Sequence, residues 1–556
     1  MKKLLVLVVF FIVVLIGCTR EDEGASEEAF ITENKTENTY AKRIDPDDRT
    51  YGDTLIEGSI GDANNLIPIL ANDISSHTIA GLIYDGLLKY DKELNIVGDL
   101  ARSWQFSDDF KVITFNLRRD VFWHDGKHFN ADDVIFTYKV ITDQKTPTPY
   151  DGDFRKISRI KKIDDYTVEV YYNEPYAPAL ASWTMYILPE HLLKDADITK
   201  SYLQRNPIGT GPFKFKSWNS GSKITLVAND YYFNGRPHLN GYIFRIIPDP
   251  SSMFLELLNE KIDLMELTPI QYIKQTDNAR FSEKFKKYTY LSDTYTFIGY
   301  NLQKDIFKDK RVRQALTYAT PKKEIIDGVL FGLGKPATGP YKPGTIWYNE
   351  NVKKYEFNLE KAAALLDKAG FILDKKTGIR KKDDLYLKFT VVTNQGNQNR
   401  SKVVEILQNS WKKIGVSIDI RILEWATFIN EYINKRNFDA VLLAWTIGVD
   451  PDLYDVWHSS RCKEGGLNFT CYQNTQIDDM IEEARQTLDT EERKKIYFKI
   501  QEILAEEQPY TFLYISDALI ALHNRFKEII PAPAGIKHNI EKWYVLPSER
   551  LYNLIP

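Results

Sequence analysis

The chain has 556 residues, 43% hydrophobic and 27% charged, an ordinary globular balance with length enough for two or three domains. Its formal charge of −4 speaks against a nucleic-acid binder, which carries a basic surface. The aromatic share of 13%, with 33 Tyr and 10 Trp, suits a large binding cleft and equally suits large cores.

Met1-Lys2-Lys3 is a basic start, and Leu4 to Ile16 is an unbroken apolar run too short for a comfortable membrane span. It closes on Leu15-Ile16-Gly17-Cys18-Thr19, which resembles a bacterial lipobox. Residues 1–17 are then a signal peptide, cleaved before Cys18, whose thiol takes the lipid. Gly17 is small enough for the cleavage position. Two or more acyl chains hold a protein at a bilayer where one would exchange. In residues 18–50, Glu21, Asp22, Glu23, Glu27, Glu28, Glu33 and Glu37 lie among Ser, Thr, Asn and Gly. Such a stretch cannot offset its ordering entropy by burial and reads as a lipidated tether.

The body opens with a strand, Thr54 to Ile60, and a loop, Gly61 to Pro68, that carries Asn64 and Asn65. Ile79 to Leu88 begins helical. Trp104 to Leu117 reads as strand, turn, strand, with Ile113, Phe115 and Leu117 alternating against Val112, Thr114 and Asn116. Asn130 is placed to cap a helix through Val134, Phe136 and Tyr138, with Asp132 and Asp133 in its first turn. Tyr166 to Tyr171 is another strand, and residues 205–250 are rich in turns and strands. Residues 311–330 read as one helix. Asn358 to Ala369 is another, ended by Gly370. Leu387 to Val392, the amphipathic helix Ser401 to Ile414, and Val416 to Ile420 give the β–helix–β rhythm of an α/β domain. Phe438 to Trp445 is an apolar strand, Ile477 to Leu504 holds two helices, and Pro509 to Ile515 is a late strand. Tyr510 and Tyr514 on it are expected to share a face by period-two alternation, turned either to a cleft or to a core.

Cleavage leaves two cysteines, Cys462 and Cys471. In an oxidising compartment an isolated pair often bridges; free thiols or a weak metal pair are the alternatives. The spacing is not CxxC, which argues against redox catalysis. His124, Asp125 and His128 invite a metal reading, but Asp125-Gly126 argues for a turn between them and no acidic third ligand stands out. Asn206 to Pro212 lacks the glycine spacing and the Lys-Ser/Thr pair of a phosphate cradle. No G-x-S-x-G segment is present, and no particular pair of carboxylates stands out for a glycosidase. The sequence therefore reads as a binding protein, without catalytic residues, metal or cofactor.

Several ordered segments resemble the family 5 solute-binding proteins of bacterial ABC importers, the peptide, dipeptide and nickel group. They are Asp99 to Trp104 followed by Phe115 to Val134, then Pro207 to Phe213 with Trp218, Asn229, Tyr232, Gly235 and Pro237. Arg311 to Leu316, Trp445 with Asp450-Pro451-Asp452, and a weaker set at Asn468-Phe469, Tyr472, Ile477-Asp478 and Ile481 complete the match. The resemblance implies an α/β, two-lobed periplasmic-binding-protein-like fold (type II, cluster C-like) with an extra domain inserted in the first lobe. The first lobe is expected at 51–80, 205–298 and 506–556, the inserted domain at 81–204 and the second lobe at 299–505.

The implied job is reversible burial of a short peptide and its delivery to ABC permease subunits driven by a cytoplasmic ATPase. The body is expected to be monomeric, extracytoplasmic and held to the membrane through Cys18. Oligosaccharides, nickel complexes or other solutes are alternative ligands. A sensing lipoprotein without transport and a secreted hydrolase are alternative classes. Trp445 leads the candidate ligand-binding residues, with Gly448, Asp450, Asp452, Asn64, Asn65, Tyr510 and Tyr514. Well-known peptide binders of this family carry an Asp three residues after the Trp, which anchors the ligand's amino terminus; here Gly448 stands there. Either Asp450 has taken over, or the amino terminus is read differently, or the ligand is not a conventional peptide.

Overall fold

The computed structural model describes residues 50–552. The signal peptide, Cys18 and the tether up to residue 49 lie outside the described residues. Among the described residues no helix is long and apolar enough to cross a membrane.

Two long strands organise the body: Phe285–Tyr300, of 16 residues, and Tyr510–His523, of 14, paired antiparallel. They are the centre of an eleven-stranded sheet. On one side lie Leu264–Glu266, Thr54–Ser59, Gly241–Ile246, Lys223–Ala228 and Phe213–Asn219 in that order. On the other lie Ala440–Thr446, Lys388–Asn394 and Ser417–Leu423. Gly334–Pro336 pairs off the path with Tyr510–His523. The two long strands thus belong to both halves of the molecule, and they carry the crossovers. A separate antiparallel sheet of Ala101–Phe106, Val112–Leu117, Thr167–Tyr172 and Ile157–Asp164 carries the alternation seen in the sequence: Ile113, Phe115 and Leu117 are buried. The helix Ala131–Thr142 packs beside it. Its N-terminus is closed by a reciprocal capping box between Asn130 and Asp133, which satisfies amides that the first turn cannot pair internally.

Among the described residues four apolar cores result. The largest joins Leu55, Phe115, Trp183, Phe213 and Trp543. Two more, centred on Trp411 and Tyr497, lie with the strands of the second half. The fourth sits with Phe254 and Phe281.

Two sequence expectations are corrected. The helix expected over 311–330 is two, Lys310–Tyr318 and Lys322–Gly328, because Pro321 lacks an amide for the ladder and disfavours helical backbone before it. Tyr510 and Tyr514 do not share a face. The ladder slips between Thr296↔Tyr514 and Phe297↔Phe512, so one extra residue, Leu513, enters the strand. Such a bulge shifts the alternation by one. Tyr510 is buried in the core around Tyr497 and Tyr514 in the core around Trp411.

Candidate functional site

The strand Ala440–Thr446 ends in an open edge. Its parallel neighbour Lys388–Asn394 stays beside it only through Val391↔Ala440 and Val392↔Val441. Its antiparallel partner, the long strand at 285–300, accompanies it from Tyr300↔Ala440 to Thr294↔Thr446. Two bonds fix which way the amides point. Thr393 Oγ1 donates to the Leu442 carbonyl at 2.9 Å on the parallel side. Ile447 N donates to the Asp293 carbonyl at 2.6 Å on the antiparallel side. Since alternate residues point alternate ways, the N–H and C=O of Ala444 and Thr446 face the side that the parallel strand has left. That row is a template for an extended guest.

Trp445, between them, is half-buried. Its Nε1 donates to Tyr510 Oη at 3.3 Å, and its ring lies 5.5 Å from that of Phe469. Tyr510 is fully buried, stacked on Phe297 at 4.1 Å between ring centres. Tyr514 is buried too, with its hydroxyl pushed up by desolvation and drawn down by nearby Arg400. Gly448 and Val449 are exposed at the mouth of the following loop. The two aspartates of that loop are already engaged. Asp450 holds Arg493 in a fork at 2.9 and 3.0 Å and accepts from the Asp452 amide at 2.9 Å. Asp452 faces Arg485 Nε at 3.2 Å and accepts from Tyr454 N at 3.3 Å, while burial pushes its carboxyl up to about 7.

The loop with Asn64 and Asn65 meets the second half directly. Asn64 Nδ2 donates to Asn430 Oδ1 at 3.1 Å, and Asn430 Nδ2 returns the bond at 3.3 Å. Asn65 turns inward instead: its Oδ1 accepts from Ile67 N at 2.9 Å, an Asx turn.

A second meeting face joins the segment Asp151–Phe154 to Tyr454–Trp457 and Thr475–Gln486. Arg461 is ion-paired with Asp151 and, at 3.1 Å, with Asp455; Arg485, fully buried, is ion-paired with Asp153. The Arg485 carbonyl accepts from Ala177 N at 2.8 Å. Gly152 sits at the contact: a Cβ there would meet Tyr454 Cδ1 at 2.6 Å. The structure is therefore closed across this face. Asp455 is pushed up to about 8 by burial, against the pull of Arg461.

Arg400 and Glu266 are among the charged groups near the two long strands that have no ion-pair partner among the described residues. Arg400, in the first turn of Gln398–Lys412, donates Nη1 to Asn394 Oδ1 at 2.7 Å and meets no carboxylate; burial holds it down to about 10. Glu266 ends a short strand beside Tyr510–His523 and is exposed, yet desolvation raises its carboxyl, with Lys537 and Glu57 as the charges it feels. A cavity of about 490 Å³ has Tyr90, Tyr242 and Lys537 in its lining. Tyr90 on that lining feels Asp450 and Asp153.

The structure thus brings Trp445, Gly448, Asp450 and Asp452 to one loop end and Asn64 to the facing lobe, and leaves Asn65, Tyr510 and Tyr514 to turn and core. Sequence reading passed over Ala444, Thr446, Arg400, Glu266 and Arg485, because a backbone edge has no side-chain signature and an unpaired charge is visible only once its neighbours are placed.

The other sequence features are accounted for. Gly209 N donates to His124 Nδ1 at 3.3 Å, so Nε2 carries the proton and donates to the Gly211 carbonyl at 3.0 Å; burial holds the ring neutral, down to about 4. Both nitrogens are spent. The His128 ring lies tilted against Phe122, 4.2 Å between ring centres. Among the described residues no cluster of three His, Cys, Asp or Glu is placed to hold a metal. Cys462 and Cys471 are joined by a disulfide with Cα atoms 4.8 Å apart.

Residues 95–466 match the model of bacterial extracellular solute-binding proteins, family 5 middle. The chain is 34% identical over 527 residues to the oligopeptide-binding protein AppA of Bacillus subtilis, covering 92% of this chain and 95% of that one. The solved structure of AppA in complex with a nonapeptide superposes with a TM-score of 0.85 at 33% identity, over 89% of this chain and 99% of that one. The dipeptide-binding protein of Escherichia coli is 30% identical over 520 residues, covering 88% and 94%. NikZ of Campylobacter jejuni in complex with Ni(L-His) superposes with a TM-score of 0.81 at 30% identity, over 88% and 99%.

Proposed function

The chain belongs to the bacterial extracellular solute-binding proteins of family 5, and from that premise we propose that it captures short peptides between its lobes and delivers them to an ABC permease. The observation that carries the ligand class is the open edge at Ala444 and Thr446. A peptide is the solute whose own backbone matches a row of N–H and C=O groups at strand spacing. Arg400 supplies a guanidinium for the ligand's carboxylate, through charge-assisted bonds that a neutral sugar would leave unused. Closing over the guest excludes water from these bonds. A ligand that contacts both lobes favours the closed form by the difference between its affinities for the two states.

We infer further that the body works outside the cytoplasm as a monomer that hands its cargo to the permease, and the lipobox-like run Leu15-Ile16-Gly17-Cys18 supports a lipid tether at Cys18. The nickel-complex reading draws little from the residues. His458 near the candidate loop is 2.8 Å from Ser460 and 3.9 Å from Glu482, and among the described residues no cluster of metal-holding side chains includes it.

The test is to purify the protein with whatever it carries, unfold it gently and identify the released small molecules by mass spectrometry. Mixed short peptides with free termini are expected. A single sugar or a metal complex would sink the peptide reading and leave the fold untouched.

A further inference from the structure

The Cys462–Cys471 bridge lies directly behind the closing face, and its two ends are held differently. Cys471 is buried, and its neighbours are rooted in the second half. The Phe469 ring lies 6.3 Å from that of Phe297, and the Thr470 carbonyl accepts the Leu302 amide at 3.0 Å. Asn468, fully buried, donates to the Tyr472 carbonyl at 2.8 Å and accepts its amide at 3.0 Å. Cys462 is half-buried, and its neighbours reach across the face instead. Arg461, just before it, is ion-paired with Asp151 and donates to the Pro149 carbonyl; Lys463, just after it, stands 3.6 Å from Asp151.

Between the two ends the chain has little to fix it. Lys463 and Glu464 are exposed, and Gly465 and Gly466 bring no side chain to anchor the turn. On the other flank Ser459 donates its amide to Asp478 at 2.8 Å, two residues before Arg461. The bridge supplies the second tie: it keeps Cys462 4.8 Å, Cα to Cα, from rooted Cys471. A guanidinium that meets a carboxylate on a separating lobe loses its conformational freedom at each closure unless it is already held. We propose that the Cys462–Cys471 bridge is a redox-sensitive positioning device for capture. Closed, it keeps Arg461 aimed at Asp151 and favours the form that encloses the ligand; opened, it frees the turn at 461–463 and weakens capture without unfolding the protein. This rests on the peptide reading above.

Opening is thiol–disulfide exchange with an external dithiol. Its thiolate attacks the sulfur of the more accessible Cys462, and Cys471 leaves as a thiolate and takes up a proton. The second thiol of the reductant then closes the reductant's own disulfide and releases Cys462, which is protonated in turn. Two electrons and two protons pass to the protein, and the dithiol departs oxidised. The sequence separation is only nine residues, and a cross-link restricts the unfolded chain less the shorter the loop it closes. The effect of opening therefore falls on capture more than on global stability.

The experiment is a calorimetric titration of the full chain in detergent, freed of bound ligand, with pentaalanine, before and after treatment with dithiothreitol. The proteins are the natural sequence, Arg461→Gln, and the double variant Cys462→Ser with Cys471→Ser, which is open permanently. Reduction should weaken binding to the natural protein by about tenfold, reversibly on reoxidation, and the double variant should match the reduced protein. The unfolding temperature should fall by no more than about 4 °C. Arg461→Gln should lose about tenfold while oxidised, and reduction should cost it no more than about twofold further, because the secured position no longer holds a cation. Unchanged binding in both the reduced protein and the double variant overturns the proposal. So does a full additional tenfold loss on reducing Arg461→Gln, since the bridge then acts elsewhere than through Arg461. Unfolding of both open forms makes the bridge a stability element and overturns it as well; in all three cases the peptide reading survives. An oxidised natural protein that does not bind pentaalanine overturns the peptide reading, and this proposal falls with it.

Discussion

In the core of the second half, at the far end of the two long strands, the packing is apolar: Tyr510 lies flat on Phe297, with Phe512 and Trp457 against it. At the closing face, where Asp151–Phe154 meets the helices at 454–457 and 475–486, the junction is charged, with Arg461 and Arg485 set among Asp151, Asp153, Asp452 and Asp455. The difference follows from what each junction does. A core inside one half stays buried in every state, so apolar area there stabilises the protein permanently. A face that must separate would expose such area to water each time. Charged groups regain hydration on opening, so their pairing adds little net stability to the closed form but fixes its register. The closed form is thereby left for the ligand to decide.

This contrast breaks most sharply in that core. Tyr510→Ala should cost about 3–5 kcal/mol of unfolding free energy, the range for emptying a buried aromatic site, read from urea denaturation without ligand. At the closing face, Arg485→Ala should shift unfolding less but penalise closure by about 3 kcal/mol, because Asp153 and Asp452 remain buried without their cation. Peptide affinity should fall on the order of a hundredfold, and small-angle scattering of the peptide-saturated variant should keep the open dimensions. An equal loss of unfolding stability in the two variants would erase the distinction.

A smaller effect comes with pH. Asp151, Asp153, Asp452 and Asp455 meet Arg461 and Arg485 at this face, with Arg155 and Lys463 also on Asp151, and burial lifts Asp452 to about 7 and Asp455 to about 8. A carboxyl whose pKa is higher closed than open binds a proton on closing. The gain is fully present below the ordinary carboxylate range near 4, is lost as pH rises through about 7 and 8, and is flat above. Peptide affinity should therefore fall by roughly tenfold from pH 6 to pH 8, and Asp455→Asn should flatten most of that slope. The smallest change is expected at the cleft loop. Asn64→Ala removes the reciprocal amide pair with Asn430 across the lobes and should weaken peptide binding by severalfold, about 1 kcal/mol, with the unfolding midpoint unchanged.

Much of the secondary structure could be read from local pattern. The capping box at Asn130, the alternation from Val112 to Leu117 and the apolar strand before Trp445 each declare themselves within a few residues, because capping and burial on one face act over that range. The two helices at 310–328 were run together although Pro321 was in view, since a proline inside a periodic stretch marks either a kink or a stop. The candidate site was only partly legible. Trp445 and its loop were found by resemblance, but the aspartates beside it turned out to be held by Arg493 and Arg485, which lie over thirty residues further along the chain.

What the sequence determined by itself was class and element content: a globular α/β chain, the resemblance to solute-binding proteins, and most strands and helices, all of which rest on composition and short-range periodicity. What only the tertiary structure decided was which groups are free. The phase slip at Leu513 parted Tyr510 from Tyr514, the departure of the parallel strand after Val441 opened the edge at Ala444 and Thr446, and pairing left Arg400 and Glu266 without counter-ions. Register, strand length and charge neutralisation are set by partners far apart in the chain. A binding site made of unused hydrogen bonds and unpaired charges exists only after those partners have been assigned.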